Sequence, residues 1–293
     1  MNEFKLSLVI PAYNEEKNLS EVLKSLQHEF RTERIPYEII VVNDNSRDGT
    51  AGVIAGFMAE DAGVRTVNRR QPGGIGRAIR SGLELVTGDV VIVYMADCSD
   101  HPSDAVAYYR KIEEGYDCVF GSRFIKGSKV TDYPRVKLII NRIVNKAMQW
   151  LFRCPFNDLT NAFKAYRADV LRECGPFRAS HFNITIEMSL AAVIRNYYIA
   201  QVPIGWTGRA WGSSNLRITQ MGRRYLSTLI KSLAEWFLIS DDLLSERLAV
   251  RELQRARLPL LENRLAALEQ RVKAVEHELE GGRTPRLHDP SAA

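Results

Sequence analysis

No stretch of this 293-residue chain runs for the roughly 20 uncharged residues that a bilayer-spanning helix needs. The opening Met1-Asn2-Glu3-Phe4-Lys5 carries no basic leader before an apolar core, so no secretory signal is expected there. Cysteine is scarce. Cys98, Cys118, Cys154 and Cys174 stand at spacings that fit neither a zinc site nor a disulfide framework. Isolated thiols of this kind are usually buried and inert. Only Cys98, inside an acidic motif, is a candidate for reactivity. Acids are also missing where bases gather. Residues 126–153 hold seven Lys or Arg against Asp132 alone, and residues 209–231 hold five with no acid. No recognisable DNA- or RNA-binding module accompanies these stretches, which sets nucleic acid aside.

Apolar and aromatic residues lie between those bases instead. Leu138, Ile139, Ile140, Ile143, Val144, Trp150, Leu151 and Phe152 occupy the first stretch. Leu226, Leu229, Ile230, Leu233, Trp236 and Phe237 fall within and just after the second. Helices with a basic face and an apolar-aromatic face suit an anionic membrane surface. The first face either meets that surface or packs on its own domain. The second, over residues 216–245, is assigned to the membrane surface. An apolar content of 45% supplies a sizeable core, and the length suits one large α/β domain with appendages.

Chemistry is concentrated where apolar runs stop. Val91-Ile92-Val93-Tyr94-Met95-Ala96 ends in Asp97-Cys98-Ser99-Asp100-His101-Pro102, a buried strand followed by two acids three residues apart. Carboxylates just past a buried strand sit in the crevice where open α/β sheets bind ligands. Two hard oxygen ligands on a short turn can share one Mg²⁺ or Mn²⁺, leaving its other positions to water and substrate phosphates. The alternative for such a pair is a solvated turn capping the helix after Pro102. Two further strand ends carry matching chemistry. Leu6-Ser7-Leu8-Val9-Ile10 runs into Pro11-Ala12-Tyr13-Asn14-Glu15-Glu16, and Ile39-Ile40-Val41-Val42 into Asn43-Asp44-Asn45-Ser46-Arg47-Asp48-Gly49-Thr50. Tyr13 could stack on a base or ribose and Asp44 could accept from a base N–H, whereas Asp48 reads as a cap or turn residue.

Taken in order and spacing, these motifs resemble the GT-A nucleotide-sugar glycosyltransferases, in particular the large inverting family that includes dolichol-phosphate mannose synthases. The resemblance continues through Gly74-Ile75-Gly76-Arg77, Gly121-Ser122-Arg123, Asp158-Leu159-Thr160-Asn161-Ala162-Phe163-Lys164, Glu187 and Arg209-Ala210-Trp211-Gly212-Ser213-Ser214-Asn215-Leu216. It implies a nucleotide site at Pro11, Tyr13, Glu15, Asp44 and Gly76, with Arg123 and Arg209 facing phosphates and Asp158 on the acceptor side. It also departs from the family in two places. The family's Asp-Ala-Asp-x-Gln-His-Pro is here Ala96-Asp97-Cys98-Ser99-Asp100-His101-Pro102, so the carboxylates have moved. Asp97 and Asp100 are assigned as metal ligands on chemistry, as the only acids between Asp89 and Asp104. Asn215 stands where the family usually has Lys, and Arg209 and Arg217 lie near enough to compensate.

The fold expected is a GT-A-like, doubly wound, mostly parallel α/β sheet, with strands near 6–10, 38–42, 65–67, 90–94 and 118–121. The glycosyltransferase domain is expected over 1–215 and amphipathic helices over 216–245. Leu258, Leu261, Leu265, Leu268, Val272, Val275 and Leu279 recur at spacings of three and four, which reads as a coiled coil over 246–282 that joins copies of the chain. A disordered tail is expected over 283–293.

The reaction expected first is metal-dependent transfer of a hexose from GDP-mannose or UDP-glucose to a polyprenyl phosphate. It would take place at the inner face of the membrane, by a cytoplasmic peripheral enzyme. A phosphate acceptor is already anionic and needs no strong base. Transfer to a sugar hydroxyl in a surface polysaccharide or glycolipid would need one, and Asp158 is then the candidate. A non-catalytic assembly protein is the third alternative, supported only by the displaced acids and Asn215.

Overall fold

The structure, a computed structural model, describes residues 4–208 and 218–239. The described residues up to Leu238 belong to one compact unit. Arg209, Asn215, Arg217, the coiled coil and the tail lie outside the described residues.

The chain runs β1 (Leu6–Ala12), α1 (Glu16–Thr32), β2 (Tyr37–Asn43), α2 (Thr50–Glu60), β3 (Val64–Asn68), α3 (Ile75–Leu83), β4 (Val90–Val93), α4 (Pro102–Glu113) and β5 (Cys118–Ser122). It continues with β6 (Lys129–Thr131), α5 (Arg135–Leu151), β7 (Lys164–Arg167), α6 (Ala168–Cys174), α7 (Asn183–Ile194), β8 (Ile199–Pro203), β9 (Gly205–Thr207) and α8 (Ile218–Ile239). The main sheet has the order β3-β2-β1-β4-β7-β5-β8. All its pairings are parallel except those of β7, which is antiparallel to both β4 and β5. The mostly parallel sheet expected from the sequence is therefore present, with one reversed strand inserted between β4 and β5.

β1, β2 and β4 read as nearly unbroken apolar runs because helices cover both of their faces. Alternation along each strand sorts side chains to the two faces. Leu8, Ile10, Ile39 and Val41 join the core cluster under α1, with Leu19, Val22, Leu23, Leu26 and Phe30 from that helix. Val9 and Val42 meet α3 on the other face. There a Cβ on Gly82 would sit 2.4 Å from a Val9 methyl, so the glycine lets α3 approach the sheet. Pro11 is accommodated in a central strand because β1–β4 pairing ends at Val9.

The chain steps outward from β1 to β3 and then returns through α3 to β4 on the opposite side of β1. The carboxyl ends of β1 and β4 thus flank the switch point, where ligands bind in such sheets. Beside it β6 and β9 form a small parallel pair, and β9 is bridged to the acid turn between Trp206 and Asp100.

Candidate active site

The apolar run of β4 ends at Val93, and the chain turns through Cys98, whose φ of 59° lies in the left-handed region. Three contacts hold this turn. The Tyr94 hydroxyl donates to the Asp100 carbonyl at 2.5 Å, the Thr207 N–H to the Ser99 carbonyl at 3.0 Å, and the Gly205 N–H to Asp104 at 2.8 Å. Asp97 and Asp100 are both buried. Asp97 accepts from the N–H and hydroxyl of Ser99. Asp100 Oδ2 has no hydrogen-bond partner among the described residues. Burial, and then the charge of Asp97, push the Asp100 carboxyl up to about 8, against the pull of Arg123. Two buried carboxyls of which one cannot ionise freely make a site that a cation would complete. The donor set is hard oxygen and suits Mg²⁺ or Mn²⁺. No group of three or more acids, His or Cys gathers among the described residues, so water and substrate oxygens would fill the remaining positions.

Burial and the charges of Glu21, Asp97 and Glu15 push the Cys98 thiol up to about 11, which leaves little thiolate at neutral pH.

Arg123, just past β5, is buried against Asp158. Its backbone N–H donates to Asp158 at 3.1 Å, its Nε at 2.8 Å and its Nη2 at 2.7 Å. Burial opposes the guanidinium charge, but Asp158 outweighs it and raises the Arg123 pKa. Asp158 thus has both oxygens occupied and is placed as the counter-ion of Arg123. Behind this pair Lys164 is fully buried in β7. It donates to the carbonyls of Leu159, at 3.0 Å, and Asn161, and burial lowers it to about 7. It staples the loop before β7 from beneath.

Asp97, Asp100 and Arg123 open into one cavity of about 640 Å³. Its floor is the acid turn and its upper walls come from α5 and α8 through Lys137, Ile140, Val144, Tyr225, Leu226 and Leu229. Trp206 and Phe182 close its sides. The sequence had marked these helices as amphipathic but had not placed them over the acids.

The nucleotide-side residues occupy the neighbouring strand ends and do not line this cavity. Tyr13 is 44% exposed past β1. The loops after β1 and β2 are laced together. Asn14 N–H donates to Ser46 Oγ at 3.0 Å, Arg47 N–H to Asn14 at 2.8 Å and Glu15 N–H to Thr50 Oγ1 at 3.0 Å. Asp48 accepts from the Glu16 N–H at 3.2 Å and from the Thr50 N–H two residues on, as a cap or turn residue would. Asp44 is buried and held by Arg69 at 2.5 Å and by the Gly74 N–H at 2.6 Å. Gly76 meets main chain: a Cβ there would lie 2.4 Å from the Ala179 carbonyl oxygen. The acid turn joins this side through the Cys98 thiol, 3.6 Å from the Asn18 carbonyl.

A doubly wound sheet with buried acids, an arginine and a deep cavity at its switch point is the frame of an α/β enzyme. Residues 7–175 match the model of glycosyl transferase family 2. The chain belongs to that family and is a glycosyltransferase. Among curated relatives, the polyprenol monophosphomannose synthase of Mycolicibacterium smegmatis is 26% identical over 235 residues, spanning 78% of this chain and 85% of that protein. The dolichol-phosphate mannosyltransferase of Pyrococcus furiosus is 30% identical over 220 residues, spanning 73% of this chain but 59% of that protein. Among solved structures, glucosyl-3-phosphoglycerate synthase from Mycobacterium tuberculosis in complex with UDP superposes with a TM-score of 0.60 at 22% identity, covering 78% of this chain and 80% of that one. The same enzyme with Mn²⁺, UDP and phosphoglyceric acid gives a TM-score of 0.60, covering 78% of each chain. At this identity the likeness is one of fold, and the GT-A-like fold is present.

Proposed function

We propose that this chain transfers a hexose from a nucleotide-sugar to a polyprenyl phosphate at a membrane surface. The observation that carries the reading is the single cavity that joins Asp97, Asp100 and Arg123 to apolar walls on α5 and α8. One end suits a pyrophosphate leaving group and the other a hydrocarbon chain. Both curated relatives are named for transfer to, or synthesis of, such lipid phosphates, which supports the same substrate class.

The outer faces of α5 and α8 support a membrane setting. α5 buries Asn145 and Met148 and exposes Val136, Ile139, Ile143 and Trp150. α8 buries Thr228 and Ser232 and exposes Ile230, Phe237 and Leu238 on its outer face. Both helices dock through polar contacts: Asn141 and Asn145 to Thr160 at 2.7 and 3.0 Å, and Asn183 to Thr228 at 2.9 Å. A row of exposed large apolar side chains has no advantage in water, whereas at a bilayer it is solvated by acyl chains. No helix among the described residues is long and apolar enough to cross a membrane, so contact would be along the surface.

Asp97 and Asp100 would hold Mg²⁺ or Mn²⁺, which supplies charge to stabilise the departing nucleoside diphosphate. Arg123, held in place by Asp158, faces the same cavity and stabilises phosphate charge. Lys137 lies on the cavity wall and would meet the acceptor phosphate. A phosphate monoester attacks as an anion, so no general base is required. This agrees with Asp158 being spent on Arg123 rather than standing free for a sugar hydroxyl.

The test is nucleotide release from a panel of sugar nucleotides that includes GDP-mannose and UDP-glucose, with polyprenyl phosphate, with a sugar-hydroxyl acceptor and with none. Release with one donor, strictly dependent on the lipid phosphate, is expected. Equal release with a hydroxyl acceptor contradicts the acceptor assignment, and no release with any pair contradicts catalysis.

A further inference from the structure

We infer that Glu187 is a positioning residue that ties α8 to the donor-nucleotide side of the site, so that nucleotide affinity depends on the seat of that helix. The inference rests on the glycosyltransfer reading above and deepens it.

Glu187 lies on α7, buried at 4% exposure. Its two oxygens accept from the Arg178 N–H at 3.1 and 3.0 Å, and one of them from the Ala179 N–H at 2.8 Å. The Lys231 ammonium of α8 donates to the other at 2.5 Å. Two successive main-chain amides on one carboxylate fix the direction of the strap formed by residues 178–181. The carbonyls of that strap face α3. Ala179 O accepts from Arg80 at 2.6 Å, and Ser180 O from the Gly76 N–H at 3.1 Å. The approach is so close that a Cβ on Gly74 would lie 2.4 Å from Ser180 O. Gly74 in turn donates to Asp44, the residue assigned to the nucleotide base.

A continuous path therefore runs from Lys231 through Glu187, the strap and the α3 turn to Asp44. Each contact along it is a hydrogen bond that involves main chain or charge. α8 also supplies Tyr225, Leu226 and Leu229 to the cavity wall, on the acceptor side. What occupies that wall and what binds at Asp44 are linked through one carboxylate, and linkage of this kind is reciprocal.

The experiment is titration calorimetry of GDP and UDP into the full chain carrying Glu187→Gln, Lys231→Met or Lys231→Arg, with unfolding midpoints and steady-state kinetics alongside. Lys231 is 44% exposed at its side chain, so its variants keep the fold. Loss of the ion pair should weaken the preferred nucleotide about tenfold in Glu187→Gln and Lys231→Met, and Lys231→Arg should restore it. Donor KM should rise in parallel, with kcat at saturating donor changed by no more than about twofold. In an Asp44→Asn background, Glu187→Gln should add nothing further, because both act at one point. Unchanged affinity in Glu187→Gln and Lys231→Met, or losses that add to that of Asp44→Asn, overturns the inference while leaving the glycosyltransfer reading intact. A wild-type chain that binds neither nucleotide overturns both.

Discussion

At the scale of single residues, buried ionisable groups among the described residues differ in whether their oxygens find partners. Arg123 and Asp158 satisfy each other, with side chains 8% and 0% exposed. Asp100 keeps an unpartnered oxygen beside Asp97. The two carboxylates should therefore respond oppositely to substitution. Asp158→Ala strands a buried guanidinium and should cost about 3–5 kcal/mol of stability as well as activity. Asp100→Asn should leave the metal-free unfolding midpoint nearly unchanged, yet abolish both transfer and any rise in that midpoint with Mn²⁺. Differential scanning fluorimetry with and without Mn²⁺ measures both, and an Asp100→Asn protein that still gains stability from Mn²⁺ refutes its assignment as a ligand.

Glu38 is a third case. Burial alone would raise its pKa, but hydrogen bonds from Ser7, Thr87 and Arg65 outweigh it and bring the carboxyl down to about 2 from an ordinary 4.5. Because the folded value lies below the unfolded one, its contribution is complete above about 4.5 and lost as the pH falls towards 2. Glu38→Gln should cost about 3 kcal/mol at neutral pH and flatten the acid limb of a denaturation profile. An unaltered acid limb in the variant contradicts this account.

At the scale of elements, β1, β2 and β4 were legible because a strand covered on both faces must be apolar throughout. Their polar ends were legible because nothing apolar follows. β7 was not. Its four residues, Lys164-Ala165-Tyr166-Arg167, begin and end on a cation. Only tertiary contacts with the Leu159 and Asn161 carbonyls make a buried lysine tolerable there. The pairing of Arg123 with Asp158 was equally hidden, since it joins residues 35 apart. The apolar faces of α5 and α8 could be read from spacing, but spacing does not say which face docks; Asn145, Thr228 and Ser232 are buried together with Met148, while Ile139, Ile143, Ile230 and Phe237 stay exposed. From this follows a prediction about binding. Ile139→Gln with Ile143→Gln on α5, or Ile230→Gln with Phe237→Gln on α8, should lower sedimentation with anionic liposomes roughly tenfold or more, at 1.5–3 kcal/mol or so per large apolar side chain withdrawn. Circular dichroism and unfolding midpoints should not change, because these side chains touch water in the free protein. Wild-type protein that ignores anionic liposomes at low salt contradicts the membrane setting.

At the scale of the whole molecule, the switch point between β1 and β4 divides two tasks. Loops after β1 and β2, with α3, make one side of the crevice. The loop before β7, with α5, β9 and α8, makes the other, and the acid turn after β4 lies between them. The acceptor side proposed for this chain is thus built from elements outside the sheet's first half. It also makes the displaced acids intelligible, since Asp97 and Asp100 both still reach the cavity that the two sides share. The central claim is that a sugar passes across this cavity to a lipid phosphate. Incubation with radiolabelled GDP-mannose or UDP-glucose, Mn²⁺ and polyprenyl phosphate in anionic liposomes, followed by partition into organic solvent, measures that directly. The account predicts label in the organic phase with one of the two donors, dependent on the polyprenyl phosphate and lost in Asp97→Ala. Label confined to the aqueous phase with both donors, or organic-phase label that persists in Asp97→Ala, would contradict it.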